Sequence, residues 1–190
     1  MQLDRILPFS HELMKKTVSP GDIAIDATCG NGHDTLYLAN LVGEDGHVYG
    51  FDIQKEAIDA TSDRLKEEGM TDRVTLHEAS HAKALDHIPE KDHSRIKGAI
   101  FNLGFLPGSD KTVVTTPDQT ITAIDQMLAA MPKGSMIVLV IYHGHQGGKE
   151  EKERVIEYAS YLDQRFVHVL RYQFINQKNN APFILALEKA

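Results

Sequence analysis

Residues Asp26-Ala-Thr-Cys-Gly-Asn-Gly-His-Asp34 lie between an apolar run, Ile23 to Ile25, and a helix-patterned run, Thr35 to Leu41. A second apolar run, Val48 to Phe51, then closes on another acid, Asp52. Strand, glycine turn, helix, strand and carboxylate is the order of a parallel βα unit that holds a nucleoside at the sheet edge. Glycine has no Cβ, so the backbone of such a turn approaches a bound molecule closely. A carboxylate after the second strand can accept both hydroxyls of a ribose. This order points to an open, mostly parallel α/β sheet.

Apolar runs alternate with helical patterns almost throughout, the mark of repeated βα units. Strands are expected at Ile23–Ala27, His47–Asp52, Val74–Glu78, Gly98–Phe101, Met136–Tyr142, Val167–Phe174 and Phe183–Glu188. Helices are expected at Phe9–Thr17, Asp34–Val42, Lys55–Glu68, Pro117–Met131 and Lys149–Leu162. The fourth helix is the best marked. Thr116 and Gln119 have capping-box spacing, Pro117 takes the first helical position, and Ile121, Ile124, Leu128 and Met131 recur at helical intervals. The connection from Asn176 to Pro182 is rich in turn formers, so the last two strands should close as an antiparallel hairpin. The expected fold is α/β: a Rossmann-like, doubly wound, seven-stranded and mostly parallel sheet with a C-terminal antiparallel hairpin. Neither a repeat nor a linker divides it, and a single domain over 1–190 is expected. Gly104–Thr116 is the longest irregular stretch, between a strand and a helix.

Composition narrows the function classes. At 190 residues the chain can bury one substantial core. No apolar run is long enough for a spanning helix, and the N-terminus lacks the pattern of a secretory signal. The single cysteine excludes an internal disulfide and suits a reducing cytoplasm. A formal charge of −7 argues against general coating of nucleic-acid phosphates, although a local basic patch suffices for a folded RNA.

Three readings compete for residues 26–34. A nicotinamide fingerprint needs Gly-x-Gly-x-x-Gly, but Thr35 stands where the third glycine belongs. A phosphate-binding P-loop needs a Gly-Lys-Ser/Thr ending, which is absent. An S-adenosylmethionine pocket takes an acid followed by Gly-x-Gly-x-Gly; Asp26, Gly30 and Gly32 match, with Thr28 at the first glycine. Its methionine ammonium wants a carboxylate, which Asp26 or Asp34 can supply. Asp52 would take the ribose hydroxyls through charge-assisted hydrogen bonds, with Ile53 on the adenine face and Gln54 beside it. An N-cap for the following helix is the structural alternative for Asp52. Ser80 and His81 follow the third strand, where an adenine edge would be read, and Ser80 serves equally as a helix cap.

With these residues in view, the chain resembles the class I S-adenosylmethionine-dependent methyltransferases. More narrowly it resembles the small bacterial family labelled rRNA methylases. The resemblance rests on Asp26–Thr35, on Asn102-Leu-Gly-Phe-Leu-Pro-Gly108 and on Tyr142-His-Gly-His-Gln-Gly-Gly148, and extends over essentially the whole length. It implies S-adenosylmethionine as cofactor. It also implies that the substrate is a tRNA, met through its anticodon stem-loop. The reaction so implied is N-methylation of the aminomethyl group of 5-aminomethyl-2-thiouridine at the wobble position. Asp26, Thr28, Gly30, Asn31, Gly32, Asp34, Asp52, Ile53, Gln54, Ser80, His81 and Asn102 would shape the cofactor site. Leu106, Pro107, Tyr142, His143, Gly144 and His145 would meet the substrate.

Methyl transfer from a sulfonium is an in-line displacement, so alignment and a polar, dry site matter most. Asn102-Leu-Gly-Phe occupies the place where amino-methylating enzymes carry Asn/Asp-Pro-Pro-aromatic, with Leu103 and Gly104 replacing the prolines. An amide oxygen and a backbone carbonyl there can accept hydrogens from the attacking amine. Tyr142 and His143 are candidates for removing its excess proton. His143-x-His145 invites a metal reading, but no further ligands complete a set, so no metal is expected. Cys29 lies in the cofactor turn and reads as a small buried residue. RNA contacts are expected from Lys111, or from Lys149, Lys152 and Arg154; the latter run, interrupted by Glu150, Glu151 and Glu153, also reads as a solvated helix face with a Glu150–Arg154 pair. Phe9, Lys15 and Lys16 on the leading helix are placed to cover the cofactor or to meet a second subunit of a homodimer. A small-molecule N- or O-methyltransferase and a non-catalytic nucleoside-binding module remain the alternatives.

Overall fold

Side chains alternate along each strand, so one sheet acquires two apolar faces. The computed structural model describes residues 2–104 and 114–190. In chain order its elements are α1 (Ile6–Thr17), β1 (Ile23–Asp26), α2 (His33–Val42), β2 (His47–Asp52), α3 (Lys55–Glu67) and β3 (Val74–Glu78). They continue with α4 (Ala84–His87), α5 (Glu90–His93), β4 (Ile96–Leu103), α6 (Pro117–Ala130), β5 (Met136–Ile141), α7 (Gly148–Tyr161), β6 (Val167–Tyr172) and β7 (Phe183–Lys189). Short 3-10 turns occupy Thr71–Arg73 and His81–Lys83.

The sheet runs β3-β2-β1-β4-β5-β7-β6. β1 to β5 pair in parallel, and β7 lies antiparallel between β5 and β6. The expected doubly wound sheet and closing hairpin are therefore present. Ala24, Val48, Ile100, Val138, Val140 and Ile184 face α1 and α2. Their alternates Ile23, Ile25, Phe51, Phe101, Leu139 and Phe183 face α6 and α7. Phe51, Phe101 and Phe183 are fully buried, and each contributes roughly 1.5–3 kcal/mol by leaving water. No described helix is long and apolar enough to cross a membrane.

Several boundaries differ from expectation for local reasons. α1 begins at Ile6 rather than Phe9, because Pro8 is tolerated within a first turn. β4 extends to Ile96 and Leu103 through its parallel pairing with β1 and β5. The single turns α4 and α5 are too short to show a helical period. Thr116 is the N-cap of α6, but its side chain makes no capping hydrogen bond, so the anticipated capping box does not form.

Candidate active site

The winding changes sense between β1 and β4, and at such a point the strand exits leave a crevice. Here they border an open cleft. Its walls are Ala27, Thr28 and Gly30 after β1, Asp52, Ile53 and Gln54 at β2, Ala79, Ser80 and His81 after β3, and Asn102 and Gly104 at β4. Val114 and Thr115, leading into α6, and Gln119 in its first turn were not anticipated there and complete it.

The turn after β1 is braced from beneath. Asp26 is fully buried; Oδ1 accepts the Thr28 N–H at 3.1 Å and Oδ2 the Thr35 hydroxyl at 2.6 Å. Burial first, then the charge of Asp34, pushes its carboxyl up to about 7. Asp26 thus supports the turn and is not among the wall residues. Thr28 needs no glycine conformation, since the positive-φ residues other than glycine are Asn179 and Asn180. Its hydroxyl accepts the Asn102 backbone N–H at 2.7 Å, tying the exit of β1 to that of β4. Gly32, by contrast, has φ 80°, and a Cβ there would lie 2.9 Å from the Thr61 Cα. Cys29 packs on Gly50, where a Cβ would lie 2.7 Å from its sulfur. Burial pushes this thiol up, which makes it an inert filler of the turn.

Asp52 joins the loop after β1 to the loop after β2 at the cleft wall. Its Oδ2 accepts the Gly30 N–H and its Oδ1 the Gln54 N–H, both at 3.0 Å. The N-cap of α3 is Gln54, so Asp52 is not that helix's cap. Burial raises its carboxyl against the pull of these backbone bonds, and each oxygen keeps a lone pair for a further donor. Ile53 stands 51% exposed beside it. Ser80 caps the 3-10 turn by accepting the Ala82 N–H at 3.2 Å, and it lines the cleft as well. His81 is buried, and burial pushes its imidazole down to about 4. A neutral ring must donate from Nδ1 to the Ala27 carbonyl, 3.2 Å away, because a carbonyl only accepts. Nε2 is therefore a lone-pair acceptor, and it has no partner among the described residues. Asn31 is exposed away from the cleft; its carbonyl accepts Arg64 Nε at 2.7 Å.

At the other end of the cleft three side chains form a connected array. Asn102 Nδ2 donates to Asp34 Oδ2 at 2.5 Å, and His11 Nε2 meets Asp34 Oδ1 at 2.6 Å. Because a carboxylate only accepts, Nδ2 is fixed on the Asp34 side and the amide oxygen is turned to the other. His11 stacks on Tyr37 at 3.9 Å between centroids, and the Tyr37 hydroxyl donates to the His11 carbonyl at 3.0 Å. Sequence reasoning missed His11. Its only signal was a histidine on the leading helix, 23 residues from its partner. The same helix places Phe9 against Tyr172 of β6, with centroids 4.0 Å apart. Phe9 is thereby engaged with β6 within the chain.

The loop after β5 borders this array. Tyr142 is half-buried, and burial, with Asp34 as a lesser cause, raises its phenol. His143 Nε2 donates to the Ala181 carbonyl at 3.2 Å, which turns the ring toward the 176–182 connection. His145 folds over the start of α7, where a Cβ at Gly148 would lie 2.7 Å from its Cε1. Gly144 approaches Asn180. The helix run expected to be solvated is not so throughout. Glu151 is 2% exposed and accepts the Thr115 and Thr120 hydroxyls at 2.6 and 2.8 Å. Arg154 pairs with Asp118 of α6 at 2.7 Å instead of with Glu150, and Lys149 pairs with Glu153 at 3.9 Å. Leu106, Pro107 and Lys111 lie outside the described residues.

A family model described as "Putative rRNA methylase" matches residues 48–188, a span that takes in Asp52, Asn102 and the Tyr142–Gly148 loop. The chain belongs to this family. A Clostridium thermocellum member of the rRNA methylase group is 41% identical with a TM-score of 0.95, each chain covering 100% of the other. A Streptococcus mutans protein solved in complex with SAH is 34% identical, with a TM-score of 0.89 and full coverage of both chains. An Arabidopsis thaliana relative, named as a chloroplastic tRNA (mnm(5)s(2)U34)-methyltransferase, is 37% identical over 176 residues. That match covers 88% of this chain and 64% of the plant protein.

Proposed function

We propose that the protein transfers a methyl group from S-adenosylmethionine to the aminomethyl nitrogen of 5-aminomethyl-2-thiouridine at the tRNA wobble position. Bound S-adenosylmethionine supplies an electrophilic sulfonium methyl. The orphan Nε2 of His81 is the fit test for that ligand: a buried neutral acceptor suits an exocyclic amine on a purine. Asp52 holds the ribose hydroxyls with its spare lone pairs, Ile53 covers a ring face, and Gln54 and Ser80 border it. Of the two carboxylates expected for it, Asp34 supplies the negative charge for the methionine ammonium, Asp26 being engaged beneath the turn.

The observation that carries the amine reading is the 2.5 Å bond between Asn102 and Asp34. It presets the Asn102 amide so that its oxygen accepts a hydrogen from the incoming amine and aims the nitrogen lone pair. Tyr142 borders the same corner and, with His143 and His145 on its loop, frames the acceptor. The tRNA substrate is supported by the name of the plant relative and by full-length similarity to family members. A small-molecule acceptor would leave the Tyr142–Gly148 loop without a role. A reducing cytoplasm suits the lone thiol of Cys29.

Mass spectrometry of tRNA nucleosides from cells lacking the protein tests this. The wobble nucleoside should accumulate as 5-aminomethyl-2-thiouridine. A fully methylated wobble position in those cells would exclude the assignment.

A further inference from the structure

Net charge leaves open where an acidic chain of −7 would hold RNA. Most cations near the cleft are spent: Arg154 on Asp118, Lys149 on Glu153, and Lys55 on Asp59. Lys152 and Arg171 make no ion pair among the described residues. Topology brings them together. β5 and β6 point the same way and β7 runs against both, so the end of β6, the start of β7 and the exit of β5 share the cleft edge. Arg171 lies near the end of β6, Phe183 opens β7, and His143 follows β5. The Arg171 guanidinium sits 4.6 Å over the Phe183 ring, and the His143 ring lies 5.9 Å from that ring. Burial first, then the charge of Lys152 on the first turns of α7 and, more weakly, that of Arg171 hold the His143 imidazole down.

We propose that Arg171 and Lys152 form the phosphate-binding platform for single-stranded RNA beside the acceptor loop, Arg171 resting over the Phe183 ring. This deepens the tRNA reading and rests on it. The geometry suits the task. The guanidinium lies over a buried ring while Arg171 itself is exposed, so its donors can meet phosphates and unstacked bases. Lys152, half-buried, adds a point charge one helical turn past the start of α7, which follows the His143–His145 loop. Of the neighbouring acids, Glu151 is turned inward onto Thr115 and Thr120, and Glu153 is held by Lys149. Glu150 on the exposed side of α7 keeps the patch small, which suits contact with one or two phosphates next to the target nucleotide rather than a duplex.

The test is direct binding of a fluorescent anticodon stem-loop RNA, followed by anisotropy from low to moderate salt, for the full-length chain and for Lys152→Glu, Arg171→Gln and the double variant. The double variant should bind at least about tenfold more weakly. Its log K against log salt should flatten by about 1.4, since each phosphate contact on a single strand carries about 0.7. Arg171→Lys should recover the salt slope and only part of the affinity, because it keeps the charge and loses the guanidinium's planar fork of donors. Melting temperatures within about 2 °C of the parent verify that the fold is intact. Absent RNA binding by the parent chain, or equal affinity and slope in the double variant, overturns the platform. Failure of methyl transfer with RNA binding and its variant pattern intact would strike the substrate assignment alone.

Discussion

At the scale of single residues the proposed function separates holding the cofactor from aiming the acceptor. Asn102→Ala removes the preset amide oxygen while the Asp52 and His81 contacts stay. Transfer should slow about 10²-fold or more, and S-adenosylmethionine affinity, followed by calorimetry, should weaken no more than about threefold. An unimpaired single-turnover rate would place the amine elsewhere. Asp26 makes a separate prediction about stability. Its carboxyl keeps its proton to about 7 in the fold but only to about 3.8 when unfolded. Between those values the native state binds the extra proton, so the stability that Asp26 contributes is lost as pH rises through this window. Asp26→Asn removes the titration. The melting temperature of the variant should therefore fall less than the parent's between pH 4 and pH 8, by several degrees for a chain of this size.

At the scale of elements, the array spans three of them: His11 on α1, Asp34 at the start of α2 and Asn102 at the end of β4. In the proposed function His11 acts through Asp34, as a positioning residue. His11→Ala should lower the transfer rate about tenfold with little change in the substrate KM, and His11→Gln, which keeps a donor, should recover part of it. Equal rates in the alanine variant and the parent would remove His11 from the account. The β1–α2 turn is the other element-level dependence. Gly32→Ala places a Cβ against the α3 backbone at a left-handed φ, a strain costing roughly 1–3 kcal/mol. Thermal unfolding by circular dichroism should show a loss of several degrees, with weakened cofactor binding alongside.

Over the whole molecule, the order of strands and helices was legible because periods of two and 3.6 residues are local properties of a chain. The ends of β2 and β3 fell where the apolar runs stop, and Asp52 could be placed on the cleft from its position alone. What escaped depends on contacts distant in sequence. His11 meets Asp34, Thr28 serves the Asn102 N–H from 74 residues away, and Glu151 turns inward to Thr115 and Thr120 instead of facing water. No window of sequence carries those pairings. The position of β7 between β5 and β6 is of the same kind, since a hairpin signal fixes the turn but not which strand lies inside.

The central claim is that this cleft methylates an amine on tRNA. Purified protein, labelled S-adenosylmethionine and tRNA carrying 5-aminomethyl-2-thiouridine, with nucleosides resolved by mass spectrometry, test it most directly. The account predicts one labelled methyl on the exocyclic amine at the wobble position, formed by the parent chain and strongly reduced in Asn102→Ala. Label on a ring carbon or ribose oxygen, or an unaltered nucleoside with cofactor bound, would contradict it.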